Sequence, residues 1–246
     1  MAKLSVNVNK IATLRNTRAL DIPCVVRCAT LCLDAGAAGI TIHPRPDERH
    51  IRPADVDDLA ALLKRYPHAE FNIEGNPLEG QWMNHIRRAK PTQCTLVPDS
   101  PEQSTSDHGW DLRPHSDRLR AVIEEMKSLG CRVSLFMDYD SDEWAIAKAL
   151  GADRVELYTE PYATGFAKEQ HQIVKLYSNA ARRAREVGLE INAGHDLNLH
   201  NLAHFINNVP DVAEVSIGHA LIADALQFGL TETVQRYIAA AKGGRG

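Results

Sequence analysis

Apolar residues gather in short bursts separated by longer stretches of helical period. The bursts are LSVNV (4–8), GITIH (39–43), AEFNI (69–73), QCTLV (93–97), RVSLF (132–136), DRVELY (153–158), LEINA (189–193) and AEVSI (213–217). They predict eight strands alternating with helices along the whole chain. Leu119, Val122, Ile123, Met126 and Leu129 fall at offsets 0, 3, 4, 7 and 10, a single stripe that a helix would turn toward a sheet. Gly36, Gly130, Gly151 and Gly188 each end a helical stretch just ahead of a burst, as a left-handed C-cap and short turn require. Pro53 suits the first turn of one helix, and Ser141-Asp142-Glu143 supplies a capping side chain and acids for the start of another.

Eight strand–helix units in 246 residues match a closed (β/α)8 TIM barrel with extra helices, one domain over residues 1–246. A doubly wound open sheet would need a Gly-rich turn after its first strand, and KIATLRNTR contains no glycine. Two segments look additional to the repeat: a long polar excursion over 98–115 and a terminal helix over 231–241.

Charge narrows the partners. Lys and Arg number 28 against 32 Asp and Glu, a formal −4, so no global basic field exists for nucleic acid or an anionic membrane. MAKLSVNV lacks a signal peptide's apolar run, and no apolar stretch approaches membrane-spanning length, so a soluble cytoplasmic protein is expected. Cys24, Cys28, Cys32, Cys94 and Cys131 lack the paired spacing of a zinc site and read as buried or half-buried thiols in a reducing compartment.

A barrel performs its chemistry at the C-terminal ends of its strands, and unusual polar residues collect at those positions. Asn7 and Asn9 close the first strand, His43 and Arg45 the second, and Glu74 the third; Thr105 lies in the fourth excursion. Glu156 lies near the end of the sixth, His195 follows the seventh and Gly218-His219 the eighth. Arg15, Arg18, Arg45, Arg49 and Arg52 offer planar forks for an anion, against the plainer reading of a solvated turn paired to Asp47 and Glu48. Glu74 ends an apolar strand where burial would raise it toward a general base, or it pairs with a neighbouring arginine. His195 suits proton donation or a plain helix start; Glu156 suits a buried pair or an orienting role. Gly218 exposes amides at a helix start where barrels seat phosphate. No HExxH, GxGxxG or Walker A pattern occurs, so neither a metal nor an organic cofactor is expected.

VNVNKIATLRNTR (6–18), GITIHPRPDERHI (39–51), FNIEGNP (71–77), TLVPD (95–99), INAGHDL (191–197) and SIGHALI (216–222), in order over about residues 4 to 240, resemble the pyridoxine 5'-phosphate synthase family. The resemblance implies a (β/α)8 barrel that assembles as a homooctamer built from dimers. It implies condensation of 3-amino-2-oxopropyl phosphate with 1-deoxy-D-xylulose 5-phosphate to pyridoxine 5'-phosphate, phosphate and water, without cofactor. Carried over by motif, His43 and Glu74 resemble proton acceptors and His195 the proton donor. Asn7, Arg18, Gly194, Gly218 and His219 resemble binders of the aminoketone phosphate, Arg18 near a site shared across the dimer. Arg45, His50 and Thr105 resemble binders of deoxyxylulose phosphate.

Three positions depart from the family pattern. Asn9-Lys10 stands where Asp-His is usual, which suggests deoxyxylulose phosphate contacts rebuilt around the ammonium. Asp196 stands in the GHGL motif, where an ionised acid would raise the His195 pKa. Asp107-His108-Gly109-Trp110 replaces a Glu-Gly-Gly turn and offers Trp110 to close the site. The competing functions are another phosphate-binding barrel, such as a sugar-phosphate aldolase or epimerase, and a non-catalytic phosphometabolite binder. A Schiff-base aldolase would need a lysine deep in a strand, and Lys10 is only a weak candidate.

Overall fold

The computed structural model describes residues 1–244 of the chain. Eight parallel strands close in sequence order into a barrel: β1 (Lys3–Asn7), β2 (Gly39–Ile42), β3 (Glu70–Gly75), β4 (Gln93–Leu96), β5 (Arg132–Met137), β6 (Arg154–Leu157), β7 (Glu190–His195) and β8 (Val212–Ile217). Each predicted burst overlaps one of them, with ends that differ by at most two residues. The helices are α1 (Asn9–Asn16), α2 (Val25–Asp34), α3 (Pro53–Leu63), α4 (Trp82–Ala89), α5 (Ser116–Ser128), α6 (Trp144–Ala149), α7 (Glu160–Glu186), α8 (Leu202–Asn208), α9 (His219–Phe228) and α10 (Leu230–Ala241).

Strand alternation sorts the residues. Leu4, Val6, Phe71, Ile73, Cys94, Leu96, Val155, Leu157, Val215 and Ile217 are buried and pack in the continuous apolar core with the helices. The alternate residues point into the barrel, whose interior is polar, where the usual filling is branched aliphatic. Gln93 Nε2 reaches Glu214 at 3.3 Å and Asn192 Nδ2 reaches Gln93 Oε1 at 3.3 Å, contacts between strands that are not neighbours in the sheet. Above them Thr95 donates to Asn72 (3.0 Å), and Ser5 and Thr41 share a proton (2.7 Å). Burial of these groups is tolerable because each finds a partner.

Gly36, Gly130, Gly151 and Gly188 all adopt positive φ at helix ends, as their positions predict. Pro53 opens α3 and Leu119, Ile123 and Met126 form the buried stripe of α5. The last helix has a different role from the one expected. α10 packs on α2, α8 and β1, so it fills the eighth place in the outer ring, while α9 is the added helix. α1 is a second addition, inserted before α2.

Three local expectations are corrected. Glu143 sits at the N-cap of α6, but its carboxylate turns to the excursion, accepting from the amides of Leu112 (2.6 Å) and Arg113 (3.2 Å). Cys24 precedes α2 and is exposed, because only Cys28 and Cys32 fall on the packed side of that helix. Trp110 does not reach the mouth. Its indole is buried and donates to the Leu96 carbonyl at 2.9 Å, while Gly109 lets the loop lie so close to Asp138 that a Cβ would clash.

Candidate active site

The barrel's C-terminal end opens into a cavity of about 460 Å³. Asn7, Asn9, Lys10, His43, Arg45, His50, Glu74, Thr105, Glu156, His195, Gly218 and His219 all line it. Residues far apart in the chain thus share one mouth because each lies near the C-terminal end of a strand or in the segment that follows one. Gly194 lies just below, where a Cβ would strike the Ser216 carbonyl and Glu156 Oε1, so the seventh strand passes close to the eighth only with glycine there. Arg18 stands apart: it is exposed on the turn after α1 and does not line the cavity of this chain.

Glu74 points inward from the penultimate position of β3. Asn7 donates to its Oε2 (3.3 Å) and Ser216 to its Oε1 (3.4 Å). Burial raises its pKa to about 7, with the nearby charge of Asp99 adding and that of His195 opposing. Gly75 allows the indole of Trp82 to lie against the backbone and donate to the Glu74 carbonyl at 2.7 Å, which fixes the strand end. Glu156 is deeper, and burial, with Glu74 and Glu214 beside it, pushes its pKa well above the ordinary carboxylate range; its Oε2 is buried without a partner.

The two histidines are driven in opposite directions. His43, whose backbone amide is held by Asn9 Oδ1 (3.0 Å), is pushed well below its ordinary value by burial and by Arg45, His50 and Arg49. It is a neutral base at pH 7. His195 ends β7 in a left-handed conformation (φ 61°). Burial pulls its pKa down, but the hydrogen bond and charge of Asp196, with Glu74 and Asp99, outweigh it and the net shift is upward. One mouth therefore holds one imidazole biased toward its neutral form and one biased toward its protonated form, the separation that acid–base chemistry needs. His50 is also neutral, lowered to about 4 by burial and neighbouring cations; its Nδ1 accepts from the Ile51 amide (3.0 Å), which leaves Nε2–H as a donor.

The arginines divide. Arg15 is buried in a paired fork with Asp55 (2.8 Å through Nη2), so it is a structural tie and no anion ligand. Arg49 binds Asp47 and the carbonyls of Pro101, Gln103 and Ser104, which pins the excursion. Arg52 is exposed at the head of α3, outside the cavity. Arg45 is buried between the Gln103 carbonyl (2.7 Å) and Asp99. Positive charge at the open rim comes from Lys10, while Gly218 starts α9 without a side-chain cap and leaves its first amides as donors. Among the described residues no three His, Cys, Asp or Glu side chains gather as a metal site.

Asp99 is the residue that sequence reasoning missed. Its Oδ2 accepts from Arg45 and from Ser106 (2.7 Å), and its Oδ1 is buried without a partner. The TLVPD motif contains it, but only the fold brings it beside His43.

Fold and mouth together define a (β/α)8 barrel with a cluster of ionisable side chains in a cavity at the C-terminal ends of its strands. Residues 4–243 match the family profile described as pyridoxal phosphate biosynthesis protein PdxJ. The chain is 57% identical over 249 residues to a pyridoxine 5'-phosphate synthase of Albidiferax ferrireducens, covering 99% of this chain and 98% of that one. It is 54% identical over 248 residues to one of Xanthomonas campestris, covering 98% and 96%. The chain belongs to the pyridoxine 5'-phosphate synthase family. Among solved structures, phosphoribosylanthranilate isomerase of Thermotoga maritima superposes with a TM-score of 0.60 at 16% identity, over 99% of this chain and 100% of that one, a likeness of fold alone. No helix among the described residues is long and apolar enough to cross a membrane.

Proposed function

We propose that the chain condenses 3-amino-2-oxopropyl phosphate with 1-deoxy-D-xylulose 5-phosphate to form pyridoxine 5'-phosphate, inorganic phosphate and water. The observation that carries this reading is the opposed tuning of His43 and His195 across one cavity, with Glu74 between the two extremes. Amine addition to a ketone, dehydration, loss of one phosphate and ring closure each move a proton at carbon, nitrogen or oxygen. A neutral imidazole and a carboxylate near pKa 7 can accept those protons, and a retained imidazolium can return them.

Two phosphates need two anion seats. The uncapped start of α9 at Gly218-His219, with Asn7 packed against Gly218, suits the aminoketone phosphate. Lys10, the His50 Nε2–H and Thr105, backed by Arg45, suit deoxyxylulose phosphate. Val97 and Phe136 line the same cavity and give the forming ring an apolar wall. Arg18 serves a neighbouring copy in a homo-oligomer, read as the family octamer. The exposed Leu20 and Ile22, 69% and 68% accessible, lie beside it and suit such a contact. The free thiols agree with a cytoplasmic enzyme.

Mixing the two substrates with the protein tests the reading. One phosphate should appear for each pyridoxine 5'-phosphate formed; folded protein that releases neither across a range of buffers rejects it.

A further inference from the structure

His195 and Asp196 are joined side chain to side chain, His195 Nδ1 to Asp196 Oδ2, at 2.5 Å. The other ring nitrogen, Nε2, lies 3.0 Å from Thr105 Oγ1 in the excursion. The ring is thus held at both ends. The left-handed turn at His195 (φ 61°), uncommon for any residue but glycine, swings the following side chain back beside the ring that precedes it.

We propose that Asp196 is a positioning residue for His195, taking its Nδ1–H and so assigning proton release and recapture to Nε2 alone. This rests on the reading of His195 as the proton donor and deepens it. In the step itself, the Nε2–H bond of the imidazolium breaks, its electron pair stays on nitrogen, and the proton passes to the leaving oxygen of the substrate. Nδ1–H remains with Asp196 throughout, and Nε2 is reprotonated when a later step delivers a proton to it. A free imidazole of the other tautomer would present its lone pair to the wrong side and would have to turn over between steps.

Other charges act on this ring as well. Glu74 from β3 and Asp99 from the excursion both favour the imidazolium, His43 just after β2 faces it as a neutral base, and Tyr158 after β6 presents its ring at 5.5 Å between centroids. His219 on α9 faces Asp196 and favours its ionised form. The Asp196 side chain is 38% accessible, so its bare Coulomb effect is screened by water. Orientation through the hydrogen bond is the larger contribution, and it distinguishes Asp196 from a surface ion pair.

Histidine-labelled full-length protein, with His195→Gln to identify the resonance, allows the ring to be followed by nitrogen NMR without any turnover. In the parent protein, neutral His195 should be the Nδ1–H form. Asp196→Asn and Asp196→Gly should shift it toward Nε2–H and lower its titration midpoint by about one pH unit or more. The alkaline limb of turnover should move down with it, so that activity above neutrality falls about tenfold while KM for both phosphates is kept. Asp196→Glu should recover part of the loss. An unchanged tautomer and midpoint in both variants overturns the inference. Failure of the parent protein to make pyridoxine 5'-phosphate would reject the proposed reaction instead, and the NMR result would still decide the role of Asp196.

Discussion

Asp99 Oδ2 lies 3.9 Å from Nε2 of His43, and Glu74 Oε2 lies 4.0 Å from Nδ1 of the same ring. The ring forms part of the wall between the mouth and a second cavity of about 290 Å³, which Asp99 lines and Glu74 does not. Asp99 also neutralises the buried Arg45. Removing one partner of a buried pair strands the other, so Asp99→Asn should cost about 3 kcal/mol of stability. Urea unfolding measures it, and a loss within error of zero would mean that water already solvates Arg45.

His43→Ala and Glu74→Gln should each keep the fold and lose at least ~100-fold in turnover, the scale for removing a general acid or base. Circular dichroism separates a folded, slow protein from an unfolded one. Near-native rates in both would show that the protons travel through other groups.

Glu74 must be ionised to accept a proton, and its pKa stands near 7. The acidic limb of kcat/KM should therefore fall near pH 7, above the range of an ordinary carboxylate. The same shift carries a stability consequence of opposite sense. Between the ordinary value of 4.5 and about 7 the folded chain holds a proton at Glu74 that the unfolded chain has lost. Stability then declines as pH rises through that window. Glu74→Gln removes the dependence, so its Tm relative to the parent protein should rise between pH 5 and pH 8 even as its activity is lost. A Tm difference that stays constant with pH would place the titration elsewhere.

How much of this was legible in the chain follows from what each feature depends on. Strand ends were readable because a polar residue such as Glu74 or His195 interrupts an apolar burst, and the closed sheet does the rest. Asp99 was not, since its partner Arg45 is 54 residues away and nothing local marks the pairing. Arg15 and Arg49 read as anion forks until Asp55 and the loop carbonyls appeared beside them. The polar barrel interior around Gln93, Arg154 and Glu214 has no sequence signature beyond alternation, because either set of alternate residues could face the helices. Trp110 stood in a polar excursion as a residue that could close the site; a hydrogen bond to the Leu96 carbonyl makes it an anchor.

Lys10 gives the most direct test of how this chain differs from its family's usual pattern. It lines the mouth from the first turn of α1, exposed, on the same side as Arg49 and His50. An exposed ammonium acts on a phosphate as a point charge, and its effect falls off over about 8–10 Å at ordinary salt. It therefore discriminates between two anion seats by distance. Lys10→Met keeps most of the unbranched stem and removes the charge, so KM for deoxyxylulose phosphate should rise several-fold while KM for the aminoketone phosphate changes much less. Added salt should weaken deoxyxylulose phosphate binding in the parent protein more than in the variant, because only the parent has that charge to screen. Equal changes for both substrates would mean that Lys10 contributes a general field at the mouth and no seat of its own.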